Sequence, residues 1–392
     1  MVHLVPFNRN TSSRCILALF SALCLASLGA TEELNGAVHF IPDISVSSFS
    51  NYGGSSNDGG GLYQGFKNFL SGRLVGSSEN LPQTEDVPQE AVPGNPVPRP
   101  VVIWHGLGDS YDSDGINRVG VTLRRARPGT FVYAVRVSNS SRDDSQAGFV
   151  GQIKDQLEEV AQEIKNIPEL QGGFDAIGFS QGGVFLRGYL QQYNDPPIRN
   201  LITFGSPHNG VASLPQCENN NFICRRRNEL FEARVYTASA QTTIIPAQYF
   251  RDPLRYSEYI EMSGFLADLN NERANYHGGG STVDALVLQE RSAVEPVRNK
   301  TSAANFAQAQ RLVMVMFDAD VTVVPKESAW FQEVDKTTGA LTPLEQRPIY
   351  IQDWIGIKRL GDRGGLIYET LPGAHMEIKE SDLTRLSLKY LG

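Results

Sequence analysis

Phe174-Asp-Ala-Ile-Gly-Phe-Ser-Gln-Gly-Gly183 is the stretch on which the reading of this chain turns. A strand-like run, Phe174 to Ile177, leads into Gly178-Phe-Ser-Gln-Gly182, which sets Ser180 between two glycines. This G-x-S-x-G pattern is a nucleophile elbow, where a strand breaks sharply into a helix and holds the serine oxygen clear of the backbone. The turn is strained and its helix packs closely on a neighbouring strand, so a larger residue at either glycine would clash. The pattern is short enough to arise by chance in a Gly-rich turn, and its surroundings have to decide.

Strand-like and helix-like segments alternate around it. Val101 to Trp104 is a short apolar run ending at His105-Gly106, and Phe131 to Val137 is rich in β-formers. Gly148 to Lys165 carries Ile153, Leu157, Val160, Ala161 and Ile164 on one helical stripe. Gln181 to Tyr193 reads as helix and Leu201 to Phe204 as strand. Such alternation implies βαβ units, hence an α/β fold with a mostly parallel central sheet flanked by helices. Between residues 206 and 310 the rhythm lapses into aromatics and polar turns, which predicts a mainly helical lid insertion. Sheet rhythm returns at Leu312 to Phe317 and at Leu366 to Leu371.

The two returning strands matter because an activated serine needs a base within reach and an acid to orient that base. In doubly wound hydrolases these follow in the chain order Ser, Asp or Glu, His, each at the carboxyl end of a parallel strand. Asp318 and Asp320 follow Phe317, and His375, the only histidine after them, follows Leu371. Spacing gives only a slight preference between the two aspartates: Asp318 could cap or pair locally while Asp320 orients the imidazole. Asp353 and Asp362 lack an apolar strand immediately before them. Oxyanion donors are expected at the amides of Gln181 and of Leu107, the latter in the turn His105-Gly-Leu-Gly108. Alternatively those glycines only complete a tight turn, with His105 satisfied by neighbouring carbonyls. No cofactor and no metal is called for.

The 392 residues, 41% of them hydrophobic, suit a globular chain with a sizeable core, and the formal charge of −8 argues against a nucleic-acid partner. Short basic runs such as Arg225-Arg-Arg227 read as solvated faces. Residues 1–30 read as a secretory signal, with Arg9 and Arg14 before an apolar run from Cys15 to Leu28. That run is short for a span, so cleavage is favoured over anchorage and no stable membrane span is expected afterwards. Residues 31–100 are a Gly-, Ser- and Pro-rich leader with one short helical stretch at Lys67 to Leu74, and residues 101–392 form the catalytic domain. Cys15 and Cys24 leave with the signal. Cys217 and Cys224 remain, and in an oxidising compartment a disulfide is their natural reading, against two free thiols or a zinc site short of two ligands. Asn139-Ser-Ser141 and Asn299-Lys-Thr301 are glycosylation sequons suited to the same compartment.

Taken together, the blocks Val102-Ile-Trp-His-Gly-Leu-Gly-Asp-Ser110, Ile177-Gly-Phe-Ser-Gln-Gly-Gly183, Gly210-Val-Ala-Ser-Leu-Pro-Gln-Cys217 and Phe265-Leu-Ala-Asp-Leu-Asn-Asn-Glu-Arg273 resemble the lysosomal palmitoyl-protein thioesterases of the α/β-hydrolase fold. The likeness continues to Trp330-Phe331 and covers the chain from about Val101 onward. It implies Ser180 as nucleophile, Asp320 rather than Asp318 as orienting acid and His375 as base. It also implies oxyanion donation from Leu107 and Gln181, a disulfide between Cys217 and Cys224, and a lid lining an acyl groove. The substrates it implies are S-acylated proteins or peptides and fatty acyl thioesters, met in the secretory pathway, the lysosome or vacuole, or outside the cell. Three features depart from the family pattern: the lipase-like turn Gly205-Ser-Pro-His-Asn-Gly210, an insertion at 277–298, and Thr322 at an apolar groove position. Two other readings stand beside this one: a carboxylesterase or lipase acting on oxygen esters, and a catalytically silent acyl-binding protein on the same fold.

Overall fold

The computed structural model of the chain describes residues 97–215, 217, 222–273 and 298–392. The expected signal, nearly all of the leader with its Lys67 to Leu74 stretch, and all but the last residue of the 277–298 insertion lie outside the described residues.

Apolar runs bounded by turns form the centre of the fold. Strands β1 (Val101–Trp104), β2 (Val132–Ala134), β3 (Phe174–Phe179), β4 (Ile198–Phe204), β5 (Arg311–Phe317) and, after a short hairpin of β6 (Glu333–Val334) and β7 (Leu341–Thr342), β8 (Leu366–Leu371) follow one another along the chain. Six of them make one sheet in the order β2-β1-β3-β4-β5-β8, with every neighbouring pair parallel. A parallel sheet covered on both faces needs strands apolar on both sides, and every residue of β1 and β3 is buried. Helices α1 (Asp114–Ala126), α2 (Ser141–Ala147), α3 (Ile153–Lys165) and α4 (Gln181–Gln192) join the early strands. On one face Ile116, Val119 and Leu123 of α1 meet Leu383, Leu386 and Tyr390 of the C-terminal helix Glu380–Tyr390 over the sheet. The fold is an α/β-hydrolase fold.

Boundaries differ from the sequence reading: the β-rich run at 131–137 gives only Val132–Ala134, and the strand read as Leu201 to Phe204 begins at Ile198. Helix α3 begins at Ile153, not at Gly148, because Val150 bridges to Ile244, the Gly151 amide donates to the Thr243 carbonyl at 3.0 Å, and Gly151 holds φ +128°. A positive φ and a pairing to another segment both preclude a helical turn there.

Within residues 206–310, short helices at Ala238–Thr243, Ile245–Gln248, Tyr256–Met262, Leu266–Leu269 and Lys300–Phe306 replace the strand rhythm. Residues Cys217–Arg234 belong to a separate compact unit, in which helix Phe222–Arg234 carries Cys224, disulfide-bonded to Cys217. The insertion is tied to β6 by a largely buried ion cluster. Arg251 reaches Glu272 and Glu333, both at 3.0 Å, Arg347 reaches Glu333 at 2.9 Å, and the Tyr259 hydroxyl donates to Glu272 at 2.5 Å. Burial alone would lower the Arg251 pKa, but the two glutamates hold it well above the ordinary arginine value. Removing the cation would leave buried Glu272 without its close cation and Glu333 with Arg347 alone, so Arg251→Met should lose about 3 kcal/mol of stability in denaturant unfolding.

Candidate active site

The chemistry-bearing residues gather where β1, β3, β5 and β8 end. Ser180 follows β3 and sits at φ 50°, ψ −120°, a conformation that costs a non-glycine residue energy and turns its side chain out of the strand path. Glycines around it make the turn possible. A Cβ on Gly178 would lie 2.3 Å from the Gly183 Cα, and one on Gly182 would lie 2.3 Å and 2.4 Å from the Trp104 and His105 carbonyl oxygens. The helix start is therefore pressed onto the end of β1.

His375 lies in the turn after β8, with Nε2 3.0 Å from Ser180 Oγ and Nδ1 2.6 Å from Asp320 Oδ2. The imidazole is mostly covered and Asp320 is buried. The other Asp320 oxygen accepts from the Thr322 amide at 2.8 Å and the Val323 amide at 3.0 Å, which fixes the carboxylate. Asp318 does not meet the imidazole. It accepts the Gly373 amide at 2.8 Å and so pins the loop that carries His375. Asp353 instead binds the Lys358 amide and pairs with Arg359, and Asp362 pairs with Lys358. An imidazole held between a hydroxyl and a fixed carboxylate can take the hydroxyl proton, and the carboxylate stabilises the resulting cation.

Gln181 opens α4, so its amide is one of the helix donors that have no intrahelical partner. Its side chain is locked: Nε2 donates to the Gly148 carbonyl at 3.2 Å and Oε1 accepts from the Tyr249 hydroxyl at 2.9 Å. The turn holding Leu107 lies against the serine, since a Cβ on Gly106 would sit 3.3 Å from Ser180 Cβ. The Gly106 turn and the start of α4 thus both lie beside Ser180.

Among known families, the model for palmitoyl protein thioesterase matches residues 100–375. Palmitoyl-protein thioesterase 1 of Caenorhabditis elegans is 32% identical over 292 residues, covering 74% of this chain and 90% of that protein. This chain belongs to the palmitoyl-protein thioesterase family. A Schizosaccharomyces pombe palmitoyl-protein thioesterase-dolichyl pyrophosphate phosphatase fusion is 35% identical over 292 residues, covering 74% of this chain and 43% of that longer protein. The Drosophila melanogaster lysosomal thioesterase PPT2 homolog is 28% identical over 281 residues, covering 71% of this chain and 85% of that one.

Against the family pattern, the turn Gly205–Gly210 contributes no second base. His208 is fully buried, bonds Thr203 Oγ1 at 2.9 Å, and stacks on Phe331 with centroids 4.8 Å apart. Burial, with the nearby Arg187 charge, pushes its pKa well down and keeps it neutral. The Thr322 side chain is half-buried beside Asp320. Both sequon asparagines, Asn139 and Asn299, are exposed, and Asn299 Oδ1 also caps the helix that follows it by accepting the Ser302 amide at 3.0 Å. The described residues include no helix long and apolar enough to cross a membrane and no group of three His, Cys, Asp or Glu side chains suited to a metal.

Two residues of the site carry no local sequence signal. Tyr249 comes from the insertion to hold the Gln181 side chain, and Asp144 of α2 pairs with His105 Nε2 at 2.9 Å. His105 thus meets one carbonyl through Nδ1 and lies at ion-pair distance from a carboxylate through Nε2, which makes no aligned hydrogen bond. A methyl group added at the close approach of α4 to β1 has only backbone to displace. Gly182→Ala should accordingly cost about 3 kcal/mol or more in chemical denaturation, or prevent folding.

Proposed function

We propose that this chain removes long-chain fatty acyl groups such as palmitoyl from S-acylated cysteines, with Ser180 as nucleophile, His375 as general base and Asp320 as the acid that orients it. The reading rests on one observation, the continuous relay from Asp320 through His375 to Ser180, in a chain of this family. Ser180 Oγ bonds to the thioester carbonyl carbon while its proton passes to His375 Nε2. The negative oxygen is met by the Leu107 and Gln181 amides. The C–S bond then breaks, the thiolate takes the proton from His375, and an acyl-serine remains. Water attacks that ester, gives a proton to His375, and the fatty acid leaves as Ser180 regains its proton. A thiol of pKa about 8.5 leaves more readily than an alcohol, so the triad serves thioesters and oxygen esters alike. The choice of a thioester rests on the family.

The domain scheme belongs to the same proposal: a signal at 1–30, a leader at 31–100, and a catalytic domain with a lid at 206–310. So do N-glycans on Asn139 and Asn299 and residence in the lysosome, the vacuole or the secretory route. The signal pattern, the disulfide between Cys217 and Cys224 and the lysosomal relative support that location.

Ser180→Ala should lower turnover of a palmitoyl thioester by a factor of about 10³ or more and abolish labelling by a fluorophosphonate. Undiminished biological activity in that variant would instead favour a silent acyl-binding protein. Asp320→Asn should leave the fold intact and lower kcat by about 10³ to 10⁴. Paired palmitoyl thioester and oxygen-ester substrates should show the thioester turning over faster, and a strong preference for the oxygen ester would make the protein an esterase.

A further inference from the structure

We infer that His105 and Asp144 are a positioning pair that holds one oxyanion donor in place, with His105 in its cationic form. The inference rests on the proposed function, because it concerns the amide of Leu107.

One peptide group sets the direction of the Leu107 N–H. The Gly106 carbonyl and the Leu107 N–H belong to the same trans unit and point in opposite directions. His105 Nδ1 lies 3.0 Å from the Gly106 oxygen, and the Asp109 amide donates to that oxygen at 3.2 Å. Holding the carbonyl on this side fixes the direction of the N–H on the other. His105 Nε2 lies 2.9 Å from Asp144 Oδ2. Nδ1 thus meets an acceptor, while Nε2 lies at ion-pair distance from a buried carboxylate without hydrogen-bond alignment, and an opposite charge this close favours the imidazolium over the neutral ring. A cation against the Gly106 oxygen also polarises the peptide and strengthens the Leu107 N–H as a donor.

Asp144 is built to hold that cation. It is fully buried, and its oxygens accept the Val137 amide at 2.6 Å, the Ser138 amide at 3.2 Å and the Tyr111 amide at 2.9 Å. The next residue of α2, Ser145, donates to the Gly108 carbonyl at 2.7 Å, so one helix grips the turn at two points. His105 itself is only 5% exposed. Burial alone would lower its pKa, but the close carboxylate of Asp144, with smaller help from Gly106 and Asp109, raises it above the ordinary value. Asp144 is held below the usual carboxylate range despite its own burial, through His105 and the Val137 and Tyr111 amides. The charges acting on His105 are thus Asp144 from α2 and Asp109 from its own loop; Phe179–Gly183, packed against the turn, contributes no charged side chain. The raised imidazole value means the contribution of the pair is complete below the ordinary imidazole value and is lost as pH rises through the higher folded-state one. On the acid side it is lost as pH falls through the depressed Asp144 value.

The test compares wild type with Asp144→Asn on a palmitoyl thioester, with Ser180→Ala as control. Asp144→Asn should lower kcat about tenfold to a hundredfold with KM little changed, and should move the alkaline limb of the kcat profile to lower pH. In ¹⁵N-histidine-labelled wild type at about pH 7, both ring nitrogens of His105, assigned by connectivity, should carry protons. A neutral His105 in that spectrum overturns the proposal whether or not the variant folds, as does an unmoved alkaline limb in a folded variant. If Ser180→Ala retains turnover, it is the proposed function that fails; if Ser180→Ala is dead and Asp144→Asn is unaffected, only the positioning role fails.

Discussion

A serine held at φ 50° and ψ −120° is the constraint from which the rest of the site follows. Such a backbone persists only where its surroundings leave no alternative. Here the end of β1 and the start of α4 are in contact through glycine, with no room for one methyl group between Gly182 and the Trp104 and His105 carbonyls. That contact aims the Ser180 hydroxyl outward and leaves the first amide of α4 unpaired beside it. The proposed nucleophile and one proposed oxyanion donor thus arise from a single packing event.

The remaining groups are brought to that point by parallel topology. Strands β5 and β8 are neighbours in register from Leu312 with Leu366 to Phe317 with Leu371, so the loops that follow them emerge side by side. Asp320 comes from one loop and His375 from the other. The two aspartates of Asp318-Ala-Asp320 divide the work: one carboxylate holds the His375 loop and the other meets its imidazole. The insertion reaches the same point through Tyr249, which fixes the Gln181 side chain.

What could be read from the sequence was local. The elbow, the apolar strands and the order Ser180, Asp318 or Asp320, His375 each leave a mark within a few residues, because each lies at a strand end. Spacing gave only a slight preference between Asp318 and Asp320, since both follow the same strand and differ in what their carboxylates meet 55 residues away; the family resemblance supplied the assignment of Asp320. Asp144 and Tyr249 were illegible, because their partners His105 and Gln181 lie far along the chain and nothing in an Arg-Asp-Asp run or a lone tyrosine announces them. The start of α3 was misread for the same reason, as a pairing with Thr243 and Ile244 overrides the local apolar stripe.

The central claim, that Ser180 carries the acyl group during turnover, is tested most directly by trapping the intermediate. The protein would be mixed with a palmitoyl thioester, quenched in acid within the first turnover, digested and analysed by mass spectrometry. The account predicts one palmitoyl group on the peptide that contains Ser180. Release of fatty acid with the acyl group on another residue, or with no acylated peptide at any quench time, would contradict it.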